Sequence, residues 1–402
     1  NYACGMEKYM NNLQFDKLKT PVYVIDEKKL IHNLTILKDV EERTGCHILL
    51  AQKAFSAYSE YPLIGKYISG TTASGLFEAK LGFEGMGKEN HVFAPAFTKS
   101  DMTELVKICD HIVFNSISQL KLHKSICLNA GVSIGLRINP EISTQGEHAI
   151  YDPCSVGSRF GVTIDKLKEA IDNEPDVIDG LSGIHFHTLC EQNSDDLLTT
   201  LNVVEEKFGF IMKDMQWINF GGGHHITRDD YDIDTLIHCI QHVQDTYNVK
   251  VYLEPGEAVA LNAGYLISTV LDKVDNGITT LILDTSAACH MPDVLEMPYT
   301  PPLRGAKALK RFALTADTES SSAHCCRLSS YTCLAGDIIG DYEFDHEINI
   351  GDRLVFEDMA IYSMVKNNTF NGIPLPDIAV MKPDGNCKVI RHFGYEDFKS
   401  RL

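Results

Sequence analysis

From about Lys28 to Gly256 the chain repeats one rhythm: a short apolar run rich in Val, Ile and Leu, a polar turn, then an amphipathic stretch. The apolar runs are His47–Ala54, Gly70–Ser74, His91–Ala96, His111–Asn115, Ser133–Asn139, Leu181–His187, Trp217–Gly223 and Lys250–Gly256, which makes eight strand candidates. Leu197–Phe208 and Leu236–Tyr247 carry apolar residues at i, i+3, i+4 and i+7, the spacing of a helix with one buried face. Strands alternating with helices pair in parallel, because each crossover helix carries the chain back to the end where the strand began. Eight such units predict an α/β fold, a TIM-type (β/α)8 barrel over residues 27–262. A doubly wound open sheet is the alternative.

The rhythm stops after Gly256. Downstream, alternating runs such as Leu266–Val274, Thr280–Leu283 and Arg353–Phe356 are punctuated by Asn276-Gly277 and Gly351-Asp352. Strand and turn signals at short spacing predict an antiparallel β domain over residues 263–402. The strand at residues 20–26 is expected to join it, although by position it fits either domain. Asp317–His324, with three consecutive serines, reads as a loop. Met6 reads as the native start, with Asn1–Gly5 an appended remnant.

Composition removes several classes. With 36 Lys+Arg against 55 Asp+Glu the net charge is −19, so no basic surface holds nucleic acid, while a small cationic ligand is suited. A hydrophobic fraction of 44% and a charged fraction of 23% are ordinary globular values. No apolar run approaches the roughly 18 residues of a membrane span, and no secretory leader is evident. The twelve cysteines show no paired zinc spacing, so reduced thiols and a cytoplasmic location are expected.

In a barrel of this kind the chemistry sits at the C-terminal ends of the strands. There the sequence places Lys53, Ser74, Asn115, Arg137, His185, His187, Gly221-Gly222-Gly223 and Glu254. Lys53 lies in the apolar stretch Leu49–Phe55, where desolvation lowers an amine's pKa toward the range useful for a Schiff base. A lysine snorkelling to water is the bland reading. Three glycines after a strand let backbone N–H groups approach a phosphate, or simply make a tight turn. His185-Phe186-His187 has the form of a metal pair, but strand alternation points only one of the two inward. No metal is expected.

Lys53-Ala54-Phe55-Ser56, His185–Asn193, Asn219–Ile226 and Glu254-Pro255-Gly256-Glu257-Ala258 together resemble the fold-type III pyridoxal-phosphate decarboxylases, the group of the ornithine and diaminopimelate decarboxylases. Within that group they are most similar to the carboxynorspermidine decarboxylase branch. The resemblance runs from Thr20-Pro21-Val22-Tyr23 to Thr369-Phe370-Asn371-Gly372. It implies an alanine racemase-like fold, pyridoxal 5'-phosphate as cofactor, and a homodimer with active sites at the interface. The implied activity is decarboxylation of carboxynorspermidine or carboxyspermidine to norspermidine or spermidine. A diaminopimelate, ornithine or arginine decarboxylase, or an inactive relative that binds a regulatory partner, are the alternatives.

The resemblance also implies roles. Lys53 holds the cofactor covalently, His187 stacks on its ring, and Glu254 faces its ring nitrogen. Gly221, Gly222 and Gly223 bind the phosphate, with Tyr362 reaching it. Ser74 and Arg137 count among the cofactor-binding residues, Arg137 orienting the polar edge. Cys333 is the proton donor, on the loop Thr332–Asp337 with which the partner subunit completes the site. Asp337 pairs with Arg159 across the interface, and Phe370 lines the substrate side. Pro292–Pro298 carries Glu296 where diaminopimelate decarboxylases have an arginine, so Asp293 and Glu296 are expected to receive a distal amine. Two departures stand out: Glu257 replaces an arginine of the ornithine enzymes, and Cys190 replaces a serine.

Overall fold

The structure is a computed structural model that describes residues 15–146, 152–316 and 324–402. Asn1–Gly5 and most of the serine-rich loop fall outside the described residues. The chain divides into two compact units: His32–Val259, and Ala260–Leu402 together with the segment ahead of His32. Among the described residues no helix is long and apolar enough to cross a membrane.

The described chain opens with β1 (Val22–Asp26), which belongs to the second unit. The first unit then builds β2 (His47–Ala51), β3 (Gly70–Ala73), β4 (Glu89–Phe93), β5 (His111–Phe114), β6 (Ser133–Arg137), β7 (Leu181–His185), β8 (Trp217–Asn219) and β9 (Lys250–Leu253). Neighbours pair in parallel in chain order, and β2 pairs with β9 to close the barrel. Helix Ser194–Met212 buries Leu197, Leu201, Val204, Phe208 and Ile211 along one face. It starts ahead of the apolar pattern because the Asn193 side chain accepts the Ser194 N–H and caps it. Helix Ile233–Tyr247 begins the same way, with Asp232 accepting from Thr235 N–H.

The barrel interior is aromatic and partly polar. Trp217, the single tryptophan, fills it against two glycines: a Cβ on Gly183 would lie 2.1 Å from the indole and one on Gly135 2.3 Å. His111 stacks on Trp217 with centroids 4.5 Å apart, and His91 stacks on His111 at 4.0 Å. Both imidazoles are buried. Burial lowers the His91 pKa well below its ordinary value and brings His111 to about 4, so both rings are neutral.

The second unit is a sheet in the order β12-β14-β13-β11-β10-β1-β16-β17, with β15 also on β10. Its strands are β10 (Gly264–Asp275), β11 (Thr279–Leu283), β12 (Ala306–Ala308), β13 (Cys325–Ser330), β14 (Ile338–Phe344), β15 (Arg353–Phe356), β16 (Asp377–Met381) and β17 (Cys387–Arg391). Most pairs are antiparallel, but β1–β16 and β11–β13 are parallel, so the sheet is mixed rather than purely antiparallel. Both parallel pairs join strands far apart in sequence, where no hairpin forces antiparallel pairing. Tyr23, Leu283, Leu328, Ile339 and Phe356 lie in its core. All the described cysteines are free thiols.

Gly183→Ala is expected to cost about 1–3 kcal/mol through overpacking against Trp217, read as a lowered urea midpoint. The neutral His111 gives an acid dependence with a fixed sign. As pH falls below about 6.5 the unfolded chain binds a proton that the folded barrel refuses until about 4, so stability is lost across that window. His111→Phe, which keeps the stack, is expected to flatten the pH dependence of the unfolding free energy there, by up to about 1.4 kcal/mol per pH unit.

Candidate active site

The barrel strands end sooner than their apolar runs, so the site residues lie on the turns just beyond them. Ser74 and Glu254 follow β3 and β9 directly, Arg137 is the last residue of β6, and Lys53, His187 and Gly221 lie two residues past β2, β7 and β8. Parallel closure gathers all of these turns on one rim.

Glu254 is the most elaborately held group. It is 8% exposed, and its Oε1 accepts from Thr72 Oγ1 and Asn219 Nδ2, each at 3.0 Å. Its Oε2 lies 3.0 Å from His185 Nε2. Burial alone would raise this carboxyl, but His185, Asn219 and Thr72 hold it below the ordinary value, so it is ionised. Thr72 and Asn219 are positioning groups that sequence reasoning missed, and His185, singled out there as half of an H-x-H pair, is a third.

Lys53 has the expected basicity shift. Its neighbours Gln52 and Ala54 are buried, and Tyr61 donates to Gln52 Oε1 at 2.8 Å, which fixes the turn. The lysine itself reaches water at the rim, although protein surrounds most of it. Burial and the Arg137 guanidinium lower its pKa, opposed by Glu254, Cys190 and Glu257. Arg137 is sandwiched between Phe93 and Phe160, 4.7 and 4.4 Å from the ring centroids, and donates to the His187 carbonyl at 3.2 Å. Its burial lowers it to about 10, so it remains a cation.

Both members of the His185–His187 pair are engaged, because β7 ends at His185 and strand alternation no longer applies. His187 accepts the Gly222 N–H at its Nδ1, at 2.9 Å, which leaves the ring proton on Nε2. Burial, then Lys53 and Arg137, keep the ring neutral. Among the described residues no three His, Cys, Asp or Glu side chains are grouped to hold a metal.

The glycine run does not offer three N–H groups to a ligand. Gly221 donates to Asn219 Oδ1 at 2.8 Å and Gly222 to His187, and only the Gly223 N–H has no acceptor among the described residues. The glycines are required by space: a Cβ on Gly221 would lie 2.3 Å from the Phe186 carbonyl oxygen, one on Gly223 2.0 Å from that of Leu189. Ser74 is exposed, and its N–H is accepted by Glu78, a rim carboxylate not singled out from the sequence. Asn115 ties the Arg159 carbonyl and the Gly161 N–H, a structural bracket. Of the two departures, Glu257 lies 3.7 Å from His225, and burial pushes the Cys190 thiol up to about 11.

The remaining expected residues belong to the sheet unit. Cys333 is exposed on the β13–β14 connection, with its N–H on Asn371 Oδ1 at 2.7 Å. Asn371 belongs to the short turn Phe370–Gly372, which leaves Phe370 46% exposed. Tyr362 has φ of +48°, a conformation costly for a bulky residue and typical of functional positions. Asp337 is buried and accepts from Ser286 Oγ, the Ala288 N–H and Thr332 Oγ1, so its carboxylate ties the β13–β14 connection to the turn at Ser286–Ala288. Asp293 and Glu296 both pair with Lys366, so the amine they hold here is the chain's own.

Residues 22–360 match the family described as pyridoxal-dependent decarboxylase, C-terminal sheet domain. The carboxynorspermidine/carboxyspermidine decarboxylase of Campylobacter jejuni is 41% identical over 96% of this chain and 99% of its own length. The carboxyaminopropylagmatine decarboxylase of Synechocystis is 38% identical over 98% of each chain. A solved structure of the Campylobacter jejuni carboxynorspermidine decarboxylase, complexed with norspermidine, superposes with a TM-score of 0.85 at 39% identity, covering 96% of this chain and all of that one. A diaminopimelate decarboxylase from Helicobacter pylori at 18% identity and TM-score 0.80 shares the fold. The barrel, the mixed sheet and these likenesses agree: the chain belongs to the pyridoxal-dependent decarboxylase family.

Proposed function

We propose that the chain removes the α-carboxylate of a carboxyaminopropyl polyamine, carboxynorspermidine or carboxyspermidine, with pyridoxal 5'-phosphate bound at the barrel rim. The observation that carries the reaction class is Glu254, a buried carboxylate kept ionised by three donors. A permanent anion there would keep a pyridine nitrogen that faces it protonated. The residues fit a flat phosphorylated pyridine: an amine of lowered basicity, an ionised carboxylate, a neutral imidazole face, and a glycine turn with one unspent N–H.

Bound there, pyridoxal phosphate supplies the electron sink that takes up the bonding pair as CO2 leaves. Lys53 binds the cofactor covalently through its amine, which loses its proton more readily than a free lysine. His187, locked by Gly222, presents one ring face, and Arg137, fixed between Phe93 and Phe160, orients the polar edge. Ser74 and Gly221–Gly223 would hold the phosphate end, and the family resemblance adds Tyr362 to the phosphate-binding residues. Cys333 would place a proton on the α-carbon, and Phe370 would border the substrate. In a homodimer the Cys333 loop serves the neighbouring subunit's Lys53.

The choice of substrate rests on the Campylobacter jejuni relative rather than on Asp293 and Glu296, which a substrate amine would share with Lys366. The Synechocystis relative supports a second reading, carboxyaminopropylagmatine, whose far end is a guanidinium.

CO2 release from the cofactor-loaded protein is expected with these carboxyaminopropyl compounds. For diaminopimelate, ornithine and arginine, kcat/KM is expected to be lower by on the order of a hundredfold or more. Release from ornithine or diaminopimelate alone would sink the substrate reading. Lys53→Ala is expected to lose at least about a thousandfold in kcat. Mixing Lys53→Ala with Cys333→Ala protein is expected to restore about a quarter of the wild-type sites, through dimers carrying one intact pair. No recovery after subunit exchange would remove the shared-site dimer.

A further inference from the structure

Glu254 is held by three donors, and only one of them can change charge. Thr72 and Asn219 are neutral at any working pH and share Oε1. His185 alone meets Oε2. Its ring is 1% exposed and lies parallel to Phe93, with centroids 5.5 Å apart and planes 13° apart, so its direction is fixed by packing. A flat ring locked against an aromatic face can offer its N–H along one line only.

The charged and titratable groups around His185 come from every side. Glu254, past β9, is the one anion among them and favours a protonated imidazole. Burial, Arg137 on β6 and Lys53 past β2 oppose it and prevail. His91 on β4 and His187 past β7 are coupled to it and are themselves neutral. His185 is therefore a neutral imidazole whose single proton lies on Nε2, toward the carboxylate. The arrangement separates two properties that a salt bridge would merge. A cationic histidine would neutralise Glu254, whereas a neutral donor orients it and leaves its full negative charge for whatever lies on its other side.

We propose that His185 is a positioning residue that donates its Nε2 proton to Glu254 Oε2, and so keeps that carboxylate both ionised and in one orientation without cancelling its charge. The proposal rests on the reading that Glu254 faces the cofactor's ring nitrogen. His185 acts through Glu254, with no contact to substrate required of it. The second histidine of the His185-Phe186-His187 motif thus serves the ring face and the first serves the ring nitrogen's counter-ion.

The test compares His185→Gln, whose amide can reach where Nε2 stands, with His185→Asn and His185→Leu, which leave Oε2 without this donor. The readouts are the pH dependence of the bound cofactor's visible absorbance, the cofactor's dissociation constant, and kcat and KM separately. With the donor removed, the acid limb of the absorbance titration is expected to move to higher pH. The cofactor is expected to bind more weakly, and kcat to fall roughly ten- to a hundredfold with KM little changed. His185→Gln is expected to restore most of each. If His185→Leu fails to fold, the Asn and Gln pair carries the comparison.

An unmoved absorbance titration and unchanged kcat in the folded Asn or Leu variant would overturn the proposal, whatever happened to the melting temperature. So would a His185→Gln protein no better than His185→Asn. Glu254→Gln separates the two readings. If it too leaves the spectrum and kcat unchanged, the placement of Glu254 at the ring nitrogen has failed. If it abolishes activity while His185→Asn does not, the failure is His185's alone.

Discussion

A carboxylate enclosed in a protein costs several kcal/mol unless its lone pairs are taken by donors. Glu254 meets that condition with groups from β3, from β8 and from the end of β7. Each donor reaches it only if the four strands involved stand in their observed register, since a slip of one residue turns a side chain to the opposite face. The charge therefore depends on barrel closure. The glycines at positions 135 and 183 belong to the same requirement, because they let Trp217 fill the space between strands that must not spread apart.

Different parts of this arrangement were legible in the sequence to different degrees, for physical reasons. The barrel was readable because a strand–helix repeat announces itself locally and its count limits the closure. Lys53 and Glu254 were readable because a charged residue after an apolar run is a local anomaly. The donors on Glu254 were not: Thr72 is separated from it by 182 residues and looks like any strand threonine. Strand ends were overextended because an apolar run continues past the last ladder hydrogen bond into turns that are themselves buried, as at Phe186 and Phe220. The parallel pairs of the sheet were invisible, since alternation reports which face is buried and not which way the neighbour runs.

The acidic composition also looks different in three dimensions. A net charge of −19 invites the picture of a surface waiting for a cationic ligand. Several of the relevant acids are instead internal fasteners. Asp337 gathers one donor from its own loop and two from the turn at Ser286–Ala288, Asp341 takes a two-point grip from Arg327, and Asp293 and Glu296 share Lys366. Field and fastening draw on the same residues, so a count of carboxylates overstates the field.

The turn at Gly221–Gly223 has a consequence for how this protein can change. Each of its three positions faces a backbone carbonyl, those of Phe186, Glu254 and Leu189, at a separation no Cβ can occupy. The Phe186 and Glu254 carbonyls directly follow barrel strands, and a backbone carbonyl cannot swing aside as a flexible side chain would. Three consecutive sites are thus closed to variation, and natural or laboratory selection for a different grip at this end of the barrel must work around them. The nearby Cys190 and Glu257 are only partly buried, so side-chain change there does not meet the same obstacle.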